Sequence, residues 1–195
     1  KPKNKPPNPA NQALDMLVDS VNGYEGLSDE ERAGFEQEAG NIKNDIDGLK
    51  DTSSDIIASA KEDYNEQYSE KVAAAFDSYS QAVSDYYSGK TDREALNQAG
   101  EDFKNSVASL DAGIDQSVID GLVANAQEIA DKIDALEENM MNSISNSGDY
   151  SDGSEQMSFL RPQMQEKFVR SGKVYAFDFH SENLSFFLKG VYAED

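Results

Sequence analysis

The chain has 195 residues, with 38 acidic against 17 basic side chains and a formal net charge of −21. A body so acidic repels phosphate backbones and anionic lipid headgroups, which excludes nucleic acid as a natural partner. The absence of cysteine removes disulfides, thiolate nucleophiles and Cys-based zinc or iron–sulfur sites, and no apolar run approaches the roughly 18 residues of a membrane-spanning helix.

The charge is unevenly placed. Lys1, Lys3 and Lys5 make the first nine residues basic and leave the acidic excess to the rest. Lysine (13) outnumbers arginine (4), which argues against a salt-adapted surface in which lysine is thinned out. The opening KPKNKPPNP, with no hydrophobic signal segment, suits a processed mature protein or a fragment of a longer one. The expectation is therefore a secreted or cell-surface protein.

Residues 1–9 read as a proline-rich extended arm. Asn8 and Pro9 suit the N-cap and first position of a helix running to about Asn22. Its apolar residues Ala13, Leu14, Leu17, Val18 and Val21 share one face, and Gly23 and Gly26 end it. Ser28-Asp29-Glu30-Glu31 is a capping box that starts a second helix. That helix carries Phe35, Ala39, Ile42, Ile46 and Leu49 at alternating spacings of four and three, a heptad seam. The next seam position is Ser53, so the polar run Asp51 to Asp55 reads as a break or a new N-cap. One continuous helix from Asp29 to Tyr87 is the alternative.

From Ser54 to Tyr87 the pattern is helical without Pro or Gly. Ile57, Ala60, Tyr64, Tyr68, Val72, Phe76, Tyr79, Val83 and Tyr86 form one stripe. Such a helix would be about 50 Å long, against a radius of gyration of about 16 Å for a compact chain of this size. The expected shape is therefore elongated. Ser88-Gly89 is a turn, and Thr91-Asp92-Arg93-Glu94 reads as a further capping box. The fourth helix, over about 92–111, presents Leu96, Ala99, Phe103, Val107 and Leu110 and stops at Gly113. Asp115 or Ser117 caps the fifth, to about residue 145, whose face runs from Ile119 through Leu122, Ala126, Ile129, Ile133, Leu136 and Met140 to Ile144. Short connections make sequence neighbours antiparallel.

Residues 146–158 form a Gly-, Ser- and Asp-rich linker. In 159–195, Pro162 and Gly172 bracket a short helix. Val174 to His180 and Leu184 to Tyr192, separated by Ser181-Glu182-Asn183, then read as a β-hairpin. The fold class is thus mainly α: an elongated antiparallel bundle of about five helices over residues 10–145, with a small C-terminal β-hairpin. A lone hairpin is marginal in water, so its aromatic face must pack on the bundle or its edge must accept a strand, such as a neighbour's basic arm. The prolines of that arm weigh against a long regular strand.

No residue set points to catalysis. The single histidine, His180, has no G-x-S-x-G turn to serve, and no Glu-x-x-His pair offers a di-iron site. Glu36 with Glu38, Asp45 with Asp47, and Asp131 with Asp134 fall largely off the apolar faces and read as solvated charge rather than as an acid and base around a cleft. Aligned as a calcium loop on Gly153, the linker puts Gly148 first and Phe159 twelfth, where Asp and Glu are required. The sequence thus gives no catalytic residues, cofactor or dedicated metal site. It leaves only weak divalent cation association with the acidic surface.

The tyrosines suit the margin of a helix contact, with an apolar ring and a hydroxyl seeking water or a partner. The candidate interaction surface is therefore Tyr64, Tyr68, Tyr79 and Tyr86 on the stripe, with Tyr175, Phe177, Phe179, Phe186 and Phe187 in the hairpin. Two functions fit. One is a non-enzymatic structural or interaction subunit of an extracellular or envelope assembly, bound to a protein partner or to itself. The other is a carrier of apolar ligands or lipids whose amphipathic helices part, although the polar faces here are acidic rather than basic.

Overall fold

In a computed structural model of the chain, residues 8–24, 26–63, 66–110 and 114–147 are described, without the side chains of 60–63, 66–69 and 145–147. The described part is mainly helical and forms a helical bundle of five helices: α1 (Pro9–Asn22), α2 (Asp29–Asp63), α3 (Glu66–Tyr87), α4 (Arg93–Ser109) and α5 (Gln116–Ser147). The basic arm up to residue 7, and everything from residue 148 on, including the expected short helix and hairpin, lie outside the described residues.

Local signals set most boundaries. The Asn8 side chain accepts from the Ala10 N–H at 3.0 Å, and Pro9 stands at the first helical position where its missing donor is harmless. α1 ends at Gly23, whose N–H reaches back to the Asp19 carbonyl. At the start of α2 the Ser28 Oγ accepts from the Glu31 N–H at 3.1 Å, while the Glu31 carboxylate accepts from the Ser28 N–H at 3.2 Å. The capping box is therefore closed in both directions. The Ser28 N–H and the Ser143 hydroxyl hold the Glu31 carboxyl below the usual range. Arg32 ties the same turn by donating to the Tyr24 carbonyl at 2.6 Å.

The expected break at Asp51 to Asp55 is not present. α2 continues to Asp63 because Thr52 and Ser53 donate to the carbonyls of Gly48 and Leu49 at 3.0 and 2.9 Å. Hydroxyls that bond back to the residue four positions earlier are satisfied inside a helix and have no need to cap a new one. Of the expected helix from Ser54 to Tyr87, the first ten residues belong to α2 and the stretch from Glu66 to α3, with 64 and 65 outside the described residues.

After α3 the chain turns through Gly89, at φ 83°, a left-handed conformation open to glycine. The cap of α4 is Asp92, not Thr91: the Asp92 carboxylate accepts from the Ala95 N–H at 2.8 Å. Asp115 rather than Ser117 caps α5, accepting from the Ser117 N–H at 3.0 Å and from its hydroxyl at 2.8 Å.

The helices gather into two compact units, and α2 and α5 contribute to both. Among the described residues, the first comprises those up to Asn41, Tyr87–Lys90 and those from Ile133 to Ser147. Leu14, Leu17 and Val21 of α1, Phe35 of α2, and Leu136 and Met140 of α5 are buried in it. Besides the bond of Ser143 to Glu31, further polar ties cross its helices. Asn22 donates to Glu36 at 2.9 Å, and Asn139 bonds to Glu38, whose carboxyl is nevertheless raised above its ordinary value by burial. Glu137 is fully buried and interacts with its surroundings.

The second unit comprises Ile42–Tyr86 and Thr91–Lys132. Here α3 and α4 pack aromatic on aromatic. Phe76 meets Phe103 edge-on at 4.9 Å between centroids, and Tyr79 stacks on the same ring at 4.7 Å. Gly100 lets α4 approach α5, since a Cβ there would stand 2.9 Å from Val123 Cγ1. Arg93 bonds Asp131 near one end of α4, and Lys104 accepts through its carbonyl from Gln116 near the other. α4 and α5 therefore run antiparallel. Lys132 and Asp45 pair at 2.8 Å between α5 and α2.

Candidate functional site

Tyr79 and Tyr86 stand seven residues apart on α3, so the helix brings both to one side. They are only 5% and 4% exposed. The margin expected at these positions is thus part of the core, and neither ring offers a free surface. Tyr64 lies outside the described residues, as do Tyr175, Phe177, Phe179, Phe186 and Phe187; Tyr68 is in α3 with its side chain undescribed. Tyr87, next to the stripe, is buried too.

Tyr79 and Tyr86 lie in the field of Arg93, the first residue of α4. Its guanidinium lies 5.5 Å from the centroid of the Tyr86 ring and donates to the Gln127 carbonyl at 3.0 Å and the Asp131 carboxylate at 2.8 Å. One planar fork thereby ties α3, α4 and α5 together, a task that suits arginine better than lysine. Burial opposes the Arg93 charge, but its hydrogen bond with Tyr86 and the Asp131 carboxylate hold its pKa above the ordinary value. Tyr79 is different. Its ring is covered by Phe103, its hydroxyl is buried without a hydrogen-bond partner, and burial pushes its pKa up to about 12 against the opposing field of Arg93.

This cluster holds helices together. Of the carboxylates singled out in the sequence, Asp45 pairs with Lys132, Asp131 with Arg93, and Glu36 accepts from Asn22. Among the described residues no group of three or more His, Cys, Asp or Glu side chains could hold a metal ion, and no helix is long and apolar enough to cross a membrane. Sequence reasoning missed Arg93 and Gly100. The scarcity of arginine, four in the chain, was the available signal for the first. For Gly100, the signal was a glycine inside an otherwise regular helical stripe.

The fold is that of a helical-bundle protein, and neither protein-family models nor curated proteins nor solved structures yield a match to this chain.

Proposed function

We propose that the chain is a non-enzymatic structural or protein-interaction subunit, acting through its helical surfaces and a β-edge within residues 174–192, in an extracellular or envelope assembly. The distribution of large apolar side chains carries this reading. Phe35, Phe76 and Phe103 are buried in the helices, and Val118, at 44%, is the exposed large hydrophobic among the described residues. The other six of the nine phenylalanines all fall between Phe159 and Phe187. The described helices are thus closed and acidic on the outside. Most of the phenylalanines lie in the C-terminal stretch, and at protein interfaces desolvated aromatic anchors make the strongest contacts.

Light scattering of the intact chain over a wide concentration range, alone and with Phe177→Ser and Phe179→Ser, tests this. Self-association that the substitutions weaken is the expected result. A chain that is monomeric at every concentration, and that behaves identically with and without the two phenylalanines, removes the self-association form of the reading. Flotation with lipid vesicles separates the carrier alternative, which requires the protein to rise with them.

A further inference from the structure

We propose that Asn22-Gly23, at the end of α1, is a site of spontaneous deamidation, and that conversion there unfastens α1 from α2. This is the one Asn-Gly step in the chain. The Gly23 nitrogen, losing its proton to solvent base, forms a bond to Cγ of Asn22; the Cγ–Nδ2 bond breaks and ammonia leaves. Water then opens the resulting five-membered imide at one of its two carbonyls, giving aspartate or its isomer in which the backbone runs through the side chain. The reactants are the chain and water, and no electrons change hands. Glycine favours the attack because no Cβ crowds the closing ring.

The structure shows what depends on this amide. Asn22 Nδ2 donates to Glu36 Oε1 at 2.9 Å, fastening the end of α1 to α2, while Asn22 Oδ1 is buried with no hydrogen-bond partner. The amide is therefore held by a single bond. Deamidation replaces its donor with a second carboxylate facing Glu36, and two carboxylates at that distance disfavour joint ionisation. The new charge also sits at the C-terminal end of α1, where the helix dipole disfavours an anion, and no basic residue occupies the last turn to offset it.

The native fold slows the first step without closing it off. The Gly23 N–H is engaged by the Asp19 carbonyl through a long bond of 3.3 Å, beyond the usual range for N–H to O. Gly23 itself is exposed. Attack follows opening of the last turn of α1, so the rate of conversion measures that opening.

The test incubates the full chain at mildly alkaline pH, folded and in guanidinium, and maps the Asn22 peptide by mass and by isoaspartate content. Conversion in the folded chain, slower than in the unfolded one and suppressed by Gly23→Ala, is expected. That alanine fits, since its Cβ would meet the Ser20 carbonyl at 3.7 Å. The converted fraction should show several-fold faster amide exchange over residues 10–22 than the unconverted fraction, and Glu36→Gln should narrow the difference. An Asn22 that keeps its amide in the folded chain while the unfolded chain converts fully overturns the proposal. So does a converted fraction whose α1 exchanges no faster than before.

Discussion

The contact of α3, α4 and α5 around Phe103 and the stretch of α2 from Lys50 to Ser59 belong to the same compact unit and are equally helical, yet they bury very different amounts. Around Phe103 two aromatic rings close on a third, and a glycine admits Val123 to van der Waals contact. From Lys50 to Ser59 no residue is buried; Ile56 and Ile57 reach half-burial. The same backbone hydrogen bonding therefore stands on tertiary packing in one region and largely on local satisfaction in the other. Because most helical stability in proteins comes from packing rather than propensity, the two regions should respond oppositely to similar changes.

The largest effect is expected at Phe103. Phe103→Ala removes the ring on which both Phe76 and Tyr79 pack, and should destabilise by about 3–5 kcal/mol, read from the denaturant midpoint. A loss under about 1 kcal/mol would mean that the aromatic contact is not the support of this unit. Next comes Gly100→Ala, whose Cβ would press on Val123 Cγ1 at 2.9 Å and should cost about 1–3 kcal/mol as overpacking. Val123→Ala in the same chain should recover part of that loss, which an effect of helix propensity alone could not do.

High pH gives a third test. Tyr79 titrates at about 12 in the fold against 10.0 as its ordinary value, so its neutral form is favoured by folding. The sign follows from linkage: its contribution is fully present below pH 10 and is lost as pH rises from there through 12. Phenolate absorbance should show late tyrosine ionisation that Tyr79→Phe reduces, with unfolding setting in over that window. Ionisation of every tyrosine near its ordinary value, with the fold intact, would place Tyr79 in solvent. The smallest effect is at Gly48, just before the sparsely buried stretch. Its Cβ position is open, so Gly48→Ala should stabilise by about 0.5–1 kcal/mol and slow amide exchange over 50–59. The same substitution at two glycines should thus give opposite signs.

How far the sequence was legible follows from the same distinction. Boundaries governed by neighbours in the chain were readable: Asn8-Pro9 and the Ser28–Glu31 box stand where their chemistry places them. The seam Phe35, Ala39, Ile42, Ile46 and Leu49 is buried throughout. Where a residue had two local options, the reading erred. Ser53 and Thr52 could cap or bond backwards, and only the helix around them decides. Thr91 and Asp92 are both good caps, so the choice rests on a single residue of register. The direction in which Tyr79 and Tyr86 face could not be settled from spacing, because a core and a margin share the same periodicity. Arg93 acts across 38 residues to reach Asp131, a relation that no local pattern encodes.

The first unit is discontinuous along the chain. Among the described residues its first segment ends at Asn41, its last begins at Ile133, and the whole of the second unit is spelled out between them. During synthesis α1 and the start of α2 therefore emerge long before Leu136 and Met140, which are buried in the same unit, while both segments of the second unit are complete by Lys132. Translation order consequently favours assembly of the second unit first, because it is fully made before the last segment of the first, and leaves the N-terminal hairpin as the stretch in greatest need of shielding on the ribosome.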